Sequence, residues 1–330
     1  MTVTVSLPDN VRDALLENLL ALPDPALDID DAMARTHQVF ADLPLPTLRT
    51  VMDFGRHIDT PGVMLIDNLP TEPNLPPTPA DGGPCRAKTT FVAECVLLGL
   101  SGLLGEPVGF ITERDGRIVH DIIPTASGAS TQTSQGSRVF LKFHNDIVHD
   151  TSGRYDLSNP DFLVLNCLRA DRTNQAETWY ADAREILRVL APKTIETLRA
   201  PLFRLNAPGG YVRMFAGGKE TYSEPVPILA GPDHAPEISA AANGVRCLTP
   251  AAADAFETLQ RACRADEVAD VVRLEPGQAL LINNRKGLHA RTQFSAEYDG
   301  MDRWLQRTYI RRSLWNIRDR AEFGTRRVYA

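Results

Sequence analysis

The chain has 330 residues, 43% of them hydrophobic and 23% charged, with a net charge of -7 and a pI near 5.6. These proportions belong to a globular chain long enough to bury a large core, and the acidic balance excludes a nucleic-acid groove. No apolar run approaches the length of a membrane span, since the longest, around Phe91 to Leu104, is interrupted by Glu94, Gly99, Ser101 and Gly102.

In chain order, Asp9 to Leu22 opens with a capping signal and repeats apolar residues at helical spacing, and a second helix is predicted from about Asp30 to Ala41. Leu69 to Pro84, rich in Pro, Gly and Thr, can continue neither a helix nor a central strand; it reads as an ordered surface connection or a domain linker. A helical pattern returns from Ala87 to Leu104. Short β-branched and aromatic runs then follow at Gly109–Thr112, Ile118–Ile123, Val139–Phe143 and Phe162–Leu168, each a strand signal. Ala181 to Leu198 predicts one helix, Glu275-Pro276-Gly277 a turn into a strand at Gln278–Asn283, and Asp302–Arg312 a last strand. Many spaced strands with helices gathered toward one end predict a mainly β barrel or sandwich with flanking helices. The expected organisation is a single domain over 1–330: mainly helical cladding at 1–105, and a core at 106–315 carrying the inserted helix. The glycine-rich stretch 205–243 reads either as a lid or as an excursion around the core.

Five cysteines, odd in number and without CxxC spacing, follow an N-terminus, Met1 to Asn10, that lacks a basic-then-apolar leader pattern; a cytoplasmic setting is expected. Chemistry concentrates elsewhere. His144 and Asp146 lie two apart at the end of an apolar run, so a strand would point both to one face. His-x-Asp alone is a weak signal, but His289, reached through Gly287 after the apolar strand Ala279–Ile282, supplies a second imidazole. Two imidazoles and one carboxylate suit non-haem Fe(II). His37, His57, His120 and His234 read as structural or surface residues, and His149, on the way to a turn at Ser152-Gly153, as lining the substrate at best. On the last strand Arg303 and Arg307 share a face with Leu305 and Tyr309, their Cα atoms about 13 Å apart, which suits two different anions; the competing reading is a surface ladder paired with Asp299 or Glu297.

Four segments carry a resemblance: Phe140-Leu141-Lys142-Phe143-His144-Asn145-Asp146; Cys167 to Asp171 with Thr178; Glu275 to Asn284 before His289; and Tyr298 to Arg307. In this order and spacing, over roughly Ile118 to Arg312, the chain resembles the clavaminate synthase-like branch of Fe(II)/2-oxoglutarate oxygenases. The resemblance implies a double-stranded β-helix, or jelly-roll, core. It implies His144, Asp146 and His289 as iron ligands, Arg303 and Thr178 as partners of the 2-oxoglutarate C5 carboxylate, Arg307 as the partner of a substrate α-carboxylate, and Ser134 as a looser substrate contact. The implied reaction consumes 2-oxoglutarate and O2, releases succinate and CO2, and hydroxylates an aliphatic C–H of a free L-amino acid or close derivative; desaturation or ring closure starts from the same chemistry. A non-catalytic metal-binding jelly roll would need the triad but not Arg303 and Thr178. Two departures from the family pattern are Asp146, where several relatives use Glu, and Asn243-Gly244-Val245-Arg246, where relatives acting on arginine carry an acidic pair.

Overall fold

The computed structural model describes residues 2–149 and 159–329, so the Ser152-Gly153 turn lies outside the described residues. The first half contains β1 (Val3–Ser6), α1 (Asp9–Leu20), α2 (Ile29–Ala41), α3 (Leu45–Arg56), β2 (Val63–Asp67), α4 (Val92–Leu104), β3 (Glu106–Phe110), β4 (His120–Ile122) and β5 (Leu141–His144). The second begins with β6 (Phe162–Arg169), β7 (Thr178–Asp182), α5 (Ala183–Val189), α6 (Pro192–Arg199), β8 (Phe203–Leu205), α7 (Gly209–Phe215), β9 (Leu229–Ala230) and β10 (Glu237–Ile238). It ends with β11 (Val245–Cys247), α8 (Pro250–Ala262), β12 (Ala269–Val272), β13 (Ala279–Asn283), β14 (Gly287–Arg291), β15 (Trp304–Arg311) and β16 (Arg327–Val328).

Two sheets dominate. The larger runs β1-β2-β13-β6-β15-β3-β16, with β4 also paired to β15, and the smaller runs β12-β7-β14-β5. Period-2 alternation explains how the larger sheet serves two cores. On β13, Ala279 and Leu281 join a cluster with α1 to α4, while Leu280 and Ile282 join a cluster that also holds Tyr180 of β7 and Val272 of β12. On β6, Phe162 and Val164 face the helices, and Leu163 and Leu165 face the other sheet. The smaller sheet turns its far side, including Phe143, Ala181, Leu288 and Ala290, to a third cluster with α5, α6 and α8. Helices therefore clad both outer faces rather than gathering toward one end. The architecture is mixed helix and sheet, and the two sheets face each other without closing into a barrel.

Local chemistry accounts for the main departures from sequence expectation. The helix expected over Ala181–Leu198 is two helices, because Ala181 and Asp182 complete β7 and Pro192, lacking an N–H, starts a new helix at its N1 position. The helix at Ala87–Leu104 begins only at Val92; nearly all-round burial makes it the hub on which α2 and α3 pack. Gly99 is the notch for Phe40, since a Cβ there would lie 2.2 Å from its ring. Strand β4 keeps only His120–Ile122 of the expected run, and β5 begins at Leu141. Leu69–Pro84 holds no helix or strand but is tied down, Thr78 Oγ1 donating to Asp302 O at 2.7 Å and Arg169 Nη2 to Pro76 O at 3.0 Å. Among the described residues, no helix is long and apolar enough to cross a membrane.

Candidate active site

The space between the two sheets opens into a cavity of about 520 Å³. His144 and His289 reach it as direct cross-strand partners: β14 pairs antiparallel with β5 so that the two residues stand opposite, with ring centroids 4.2 Å apart. Opposed residues on neighbouring antiparallel strands hold their Cβ atoms about 5 Å apart, which brings two imidazoles together over a chain separation no local motif could bridge. β5 ends at His144, so Asp146 is delivered by the turn that follows, where Ile147 adopts φ 51°.

Two buried amides lock that turn. Asn145 Nδ2 donates to Asn284 O at 2.6 Å and Gly287 O at 2.9 Å, and its Oδ1 accepts from Ala240 N at 2.9 Å. Asn284 reciprocates, its Oδ1 accepting from Asp146 N at 3.0 Å while its Nδ2 donates to Asp146 O at 3.0 Å and Pro160 O at 3.1 Å. The result is a constellation in which one donor atom from each of His144, Asp146 and His289 lies within 4.8 Å of the others. His144 Nε2 is 3.6 Å from Asp146 Oδ1, and His289 Nε2 is 3.8 Å from Asp146 Oδ2. His144 Nδ1 lies 2.7 Å from Lys142 O, an acceptor only, which fixes the proton on Nδ1 and leaves the Nε2 lone pair facing Asp146. Burial, reinforced by the neighbouring His144, pushes the His289 imidazole down to about 3, so it stands neutral. Burial alone would raise the pKa of Asp146, but Arg307 and the two imidazoles outweigh it and hold the carboxylate ionised.

Arg303 and Thr178 line the same cavity, both buried. The Arg303 guanidinium sits 5.7 Å from the Phe294 ring and has no carboxylate partner among the described residues, and burial lowers its pKa. The surface-ladder alternative fails: Asp299 and Glu297 pair with Arg172 instead, at 2.8 and 3.3 Å. Arg307 contrasts with Arg303. Its Nη1 donates to Asp146 Oδ2 at 3.0 Å and its Nη2 to Glu113 Oε1 at 2.6 Å, and Tyr309 OH donates to Glu113 Oε2 at 2.7 Å. Burial opposes its charge, yet Tyr309, Asp146 and Glu113 together raise the Arg307 pKa. Ser134 lines the cavity, as does His149, whose ring lies 4.8 Å from Tyr211.

Three contributors were not singled out by sequence reasoning. Glu113 precedes two residues with positive φ, Arg114 at 52° and Asp115 at 58°, and its only sequence signal is an acid in a tight turn after a strand. His120 is buried rather than peripheral, its Nε2 on Arg117 O at 2.8 Å and its Nδ1 3.3 Å from Arg307 Nη2; burial pushes it down to about 4. Arg291, two residues past His289 on the same strand face, stands across from Thr178 and donates to Gly136 O and Val139 O. Burial and the nearby Arg303 push it down to about 9.

Comparison with known proteins agrees with this geometry. A family profile described as "Taurine catabolism dioxygenase TauD, TfdA family" matches residues 93–309. The chain is 33% identical over 268 residues to the L-asparagine oxygenase of Streptomyces coelicolor, a match covering 81% of this chain and 76% of that protein. It is 32% identical over 283 residues to the L-lysine 3-hydroxylase of Catenulispora acidiphila, covering 85% and 75%. The crystal structure of an asparagine oxygenase in complex with Fe(II), 2S,3S-3-hydroxyasparagine and succinate superposes with a TM-score of 0.87 at 29% identity, over 99% of both chains.

Proposed function

This chain belongs to the TauD, TfdA dioxygenase family, and from that premise we propose that it is an Fe(II)- and 2-oxoglutarate-dependent oxygenase that hydroxylates an aliphatic C–H of a free L-amino acid or close derivative. The observation that carries the reading is the pairing, in one cavity, of a His-Asp-His donor set with a buried guanidinium that forms no ion pair among the described residues. A metal-binding protein without catalysis needs the first and has no use for the second. Both features fit the absent groups. Two imidazoles and one carboxylate match the facial set that holds non-haem Fe(II), and Arg303 with Thr178 supplies a charged fork and a hydroxyl for the far carboxylate of 2-oxoglutarate. When bound, iron, keto acid and O2 supply the oxidation, in which 2-oxoglutarate becomes succinate and CO2 with one oxygen atom and the other oxygen enters the C–H bond. The two facing sheets, in this reading, are those of a jelly roll within one oxygenase domain over 1–330.

The remaining residues position the substrate. An amino acid brings one carboxylate and one ammonium, and the cavity offers Arg307 for the first and Glu113 for the second, side by side. Ser134 adds a hydroxyl at the wall. The zwitterion is thereby anchored at its α-carbon, and the side chain projects toward the metal ligands and the mouth. Placing one C–H at the reactive centre is then a matter of orientation. The test is anaerobic reconstitution with Fe(II) and 2-oxoglutarate, followed by O2 and a panel of L-amino acids. Succinate formed one-for-one with a product heavier by one oxygen supports the reading; succinate with no amino acid ever oxygenated, or none at all, ends it.

A further inference from the structure

Resting on the oxygenase reading above, we propose that the amino-acid substrate has an anionic side chain, whose carboxylate is bound by Arg213 of α7. Among the described residues the cavity wall carries two acids, Glu113 and Asp146, and both are already bonded to Arg307. It carries five arginines: Arg114, Arg213, Arg291, Arg303 and Arg307. A lysine or arginine side chain entering here would lose its water without gaining a free carboxylate, and would add to an existing excess of positive charge. An acidic side chain meets the reverse situation.

The arginines are not equally available. Arg114 donates to Gly82 O, Arg291 to Gly136 O and Val139 O, and Arg303 and Arg307 face the co-substrate carboxylate and the α-carboxylate in the assignment above. The Arg213 side chain makes no hydrogen bond or ion pair with any described residue. Its Nη1 lies 3.5 Å from where a Cβ on Gly209 would stand, so the side chain folds back over the first turn of its own helix, at the part of α7 that lines the cavity. That turn is held close to the α-amino anchor: a Cβ on Gly210 would lie 1.6 Å from Thr112 O, the residue before Glu113. Arg213 is three residues further, about 4.5 Å along the helix. A zwitterion fixed at Glu113 and Arg307 therefore needs only a short side chain to present its end to Arg213. Glu220, which might have served a cation, does not line the cavity and accepts from Asn206 Nδ2 at 3.3 Å and Tyr222 OH at 2.7 Å.

The experiment compares kcat/KM of the reconstituted enzyme for L-aspartate, L-glutamate, L-asparagine, L-glutamine, L-lysine and L-arginine, with succinate formed in the absence of any amino acid as a separate measure. The expected result is preference for an acid over its own amide. In Arg213→Gln the acid-to-amide ratio falls about tenfold to a hundredfold, the worth of one charge-assisted hydrogen bond, and Arg213→Glu moves preference toward lysine. A neutral or basic best substrate overturns the proposal, as does an acid-to-amide ratio unchanged in Arg213→Gln. Succinate formed without oxygenation of any amino acid, or no succinate under any condition, is a failure of the oxygenase reading instead.

Discussion

Replacing Arg303 by methionine separates stability from function, because a buried guanidinium without a protein counter-charge burdens the free protein. Arg303 is 6% exposed, has a like-charged neighbour in Arg291, and among the described residues forms no ion pair, Asp171 acting on it only from beyond contact. Exchanging buried charge for an apolar side chain of similar length typically stabilises by about 1–4 kcal/mol, and loss of the contact with Phe294 returns about 1 kcal/mol. A net gain of up to about 3 kcal/mol is expected. With about 2.1 cal/mol/K per residue over 330 residues, the entropy of unfolding is about 0.7 kcal/mol/K, so Arg303→Met should melt up to about 4 °C higher and in no case lower.

With 2-oxoglutarate the order reverses. A ligand at about a thousand times its Kd adds about 4.1 kcal/mol, or about 6 °C, to the wild type. The variant, having lost the charge that ligand needs, gains almost nothing. The assay is a pair of anaerobic melting curves for each protein, both with Fe(II), with and without saturating 2-oxoglutarate. If Arg303→Met melts below the wild type without ligand, or gains the same increment with it, then the guanidinium is structurally satisfied and its assignment to the co-substrate is wrong.

Other perturbations probe the rest of the site. Gly210→Ala would set a Cβ 1.6 Å from the Thr112 carbonyl, so α7 must withdraw by about 1.5–2 Å to reach ordinary contact; a misplacement of that order should cut kcat/KM about a hundredfold while circular dichroism stays unchanged, and near-normal activity would show that α7 does not bear on the reaction. Asn284→Ala removes both bonds from Asn284 to the Asp146 backbone, together with its bond to Pro160 O, and should weaken iron binding about tenfold to a hundredfold by titration; an unchanged affinity would mean that Asp146 is placed without it. Cys95, Cys167 and Cys263 are buried and their thiols are pushed up by burial, the first two to about 12, so iodoacetamide should modify only Cys85 and Cys247 in the native protein and all five after denaturation. Native labelling of any of the three buried thiols, read by peptide mass, would contradict the packing of their clusters.

What could be read from the chain, and what could not, divides along the range of the interactions involved. The continuous apolar run of β13 announces a strand, and the two-residue period of strand geometry correctly turns Arg303 and Arg307 to one side, both lining the cavity. Pro192 is a visible stop inside the helix expected at Ala181–Leu198, and Thr249-Pro250 is an equally visible start for α8, whose Thr249 side chain accepts from Ala252 N; both signals are local and legible in the sequence. α3 is equally legible, with Pro46 in its first turn and Leu48, Val51 and Met52 at helical spacing, whereas β2 is only five residues long and is fixed by its pairing with β1 and β13.

The same distinction runs through the site. His144 and Asp146 are neighbours in sequence and His289 follows a strand signal, so the triad could be proposed from local pattern. Alternation, however, says only that a side chain points inward, not what it meets there. Among the described residues Arg303 forms no ion pair, while Arg307 meets Asp146 across 161 residues and Glu113 across 194. Those partners arrive on turns that close from separate parts of the fold, one locked by Asn145 and Asn284, the other bent by positive φ at Arg114 and Asp115. Two arginines four residues apart on one strand thus acquire opposite electrostatic states from loops that no strand periodicity describes. In the proposed enzyme that difference assigns their roles: the uncompensated guanidinium waits for the co-substrate, and the compensated one, already sharing Glu113, is poised beside an acid where an amino acid's carboxylate and ammonium can both be met.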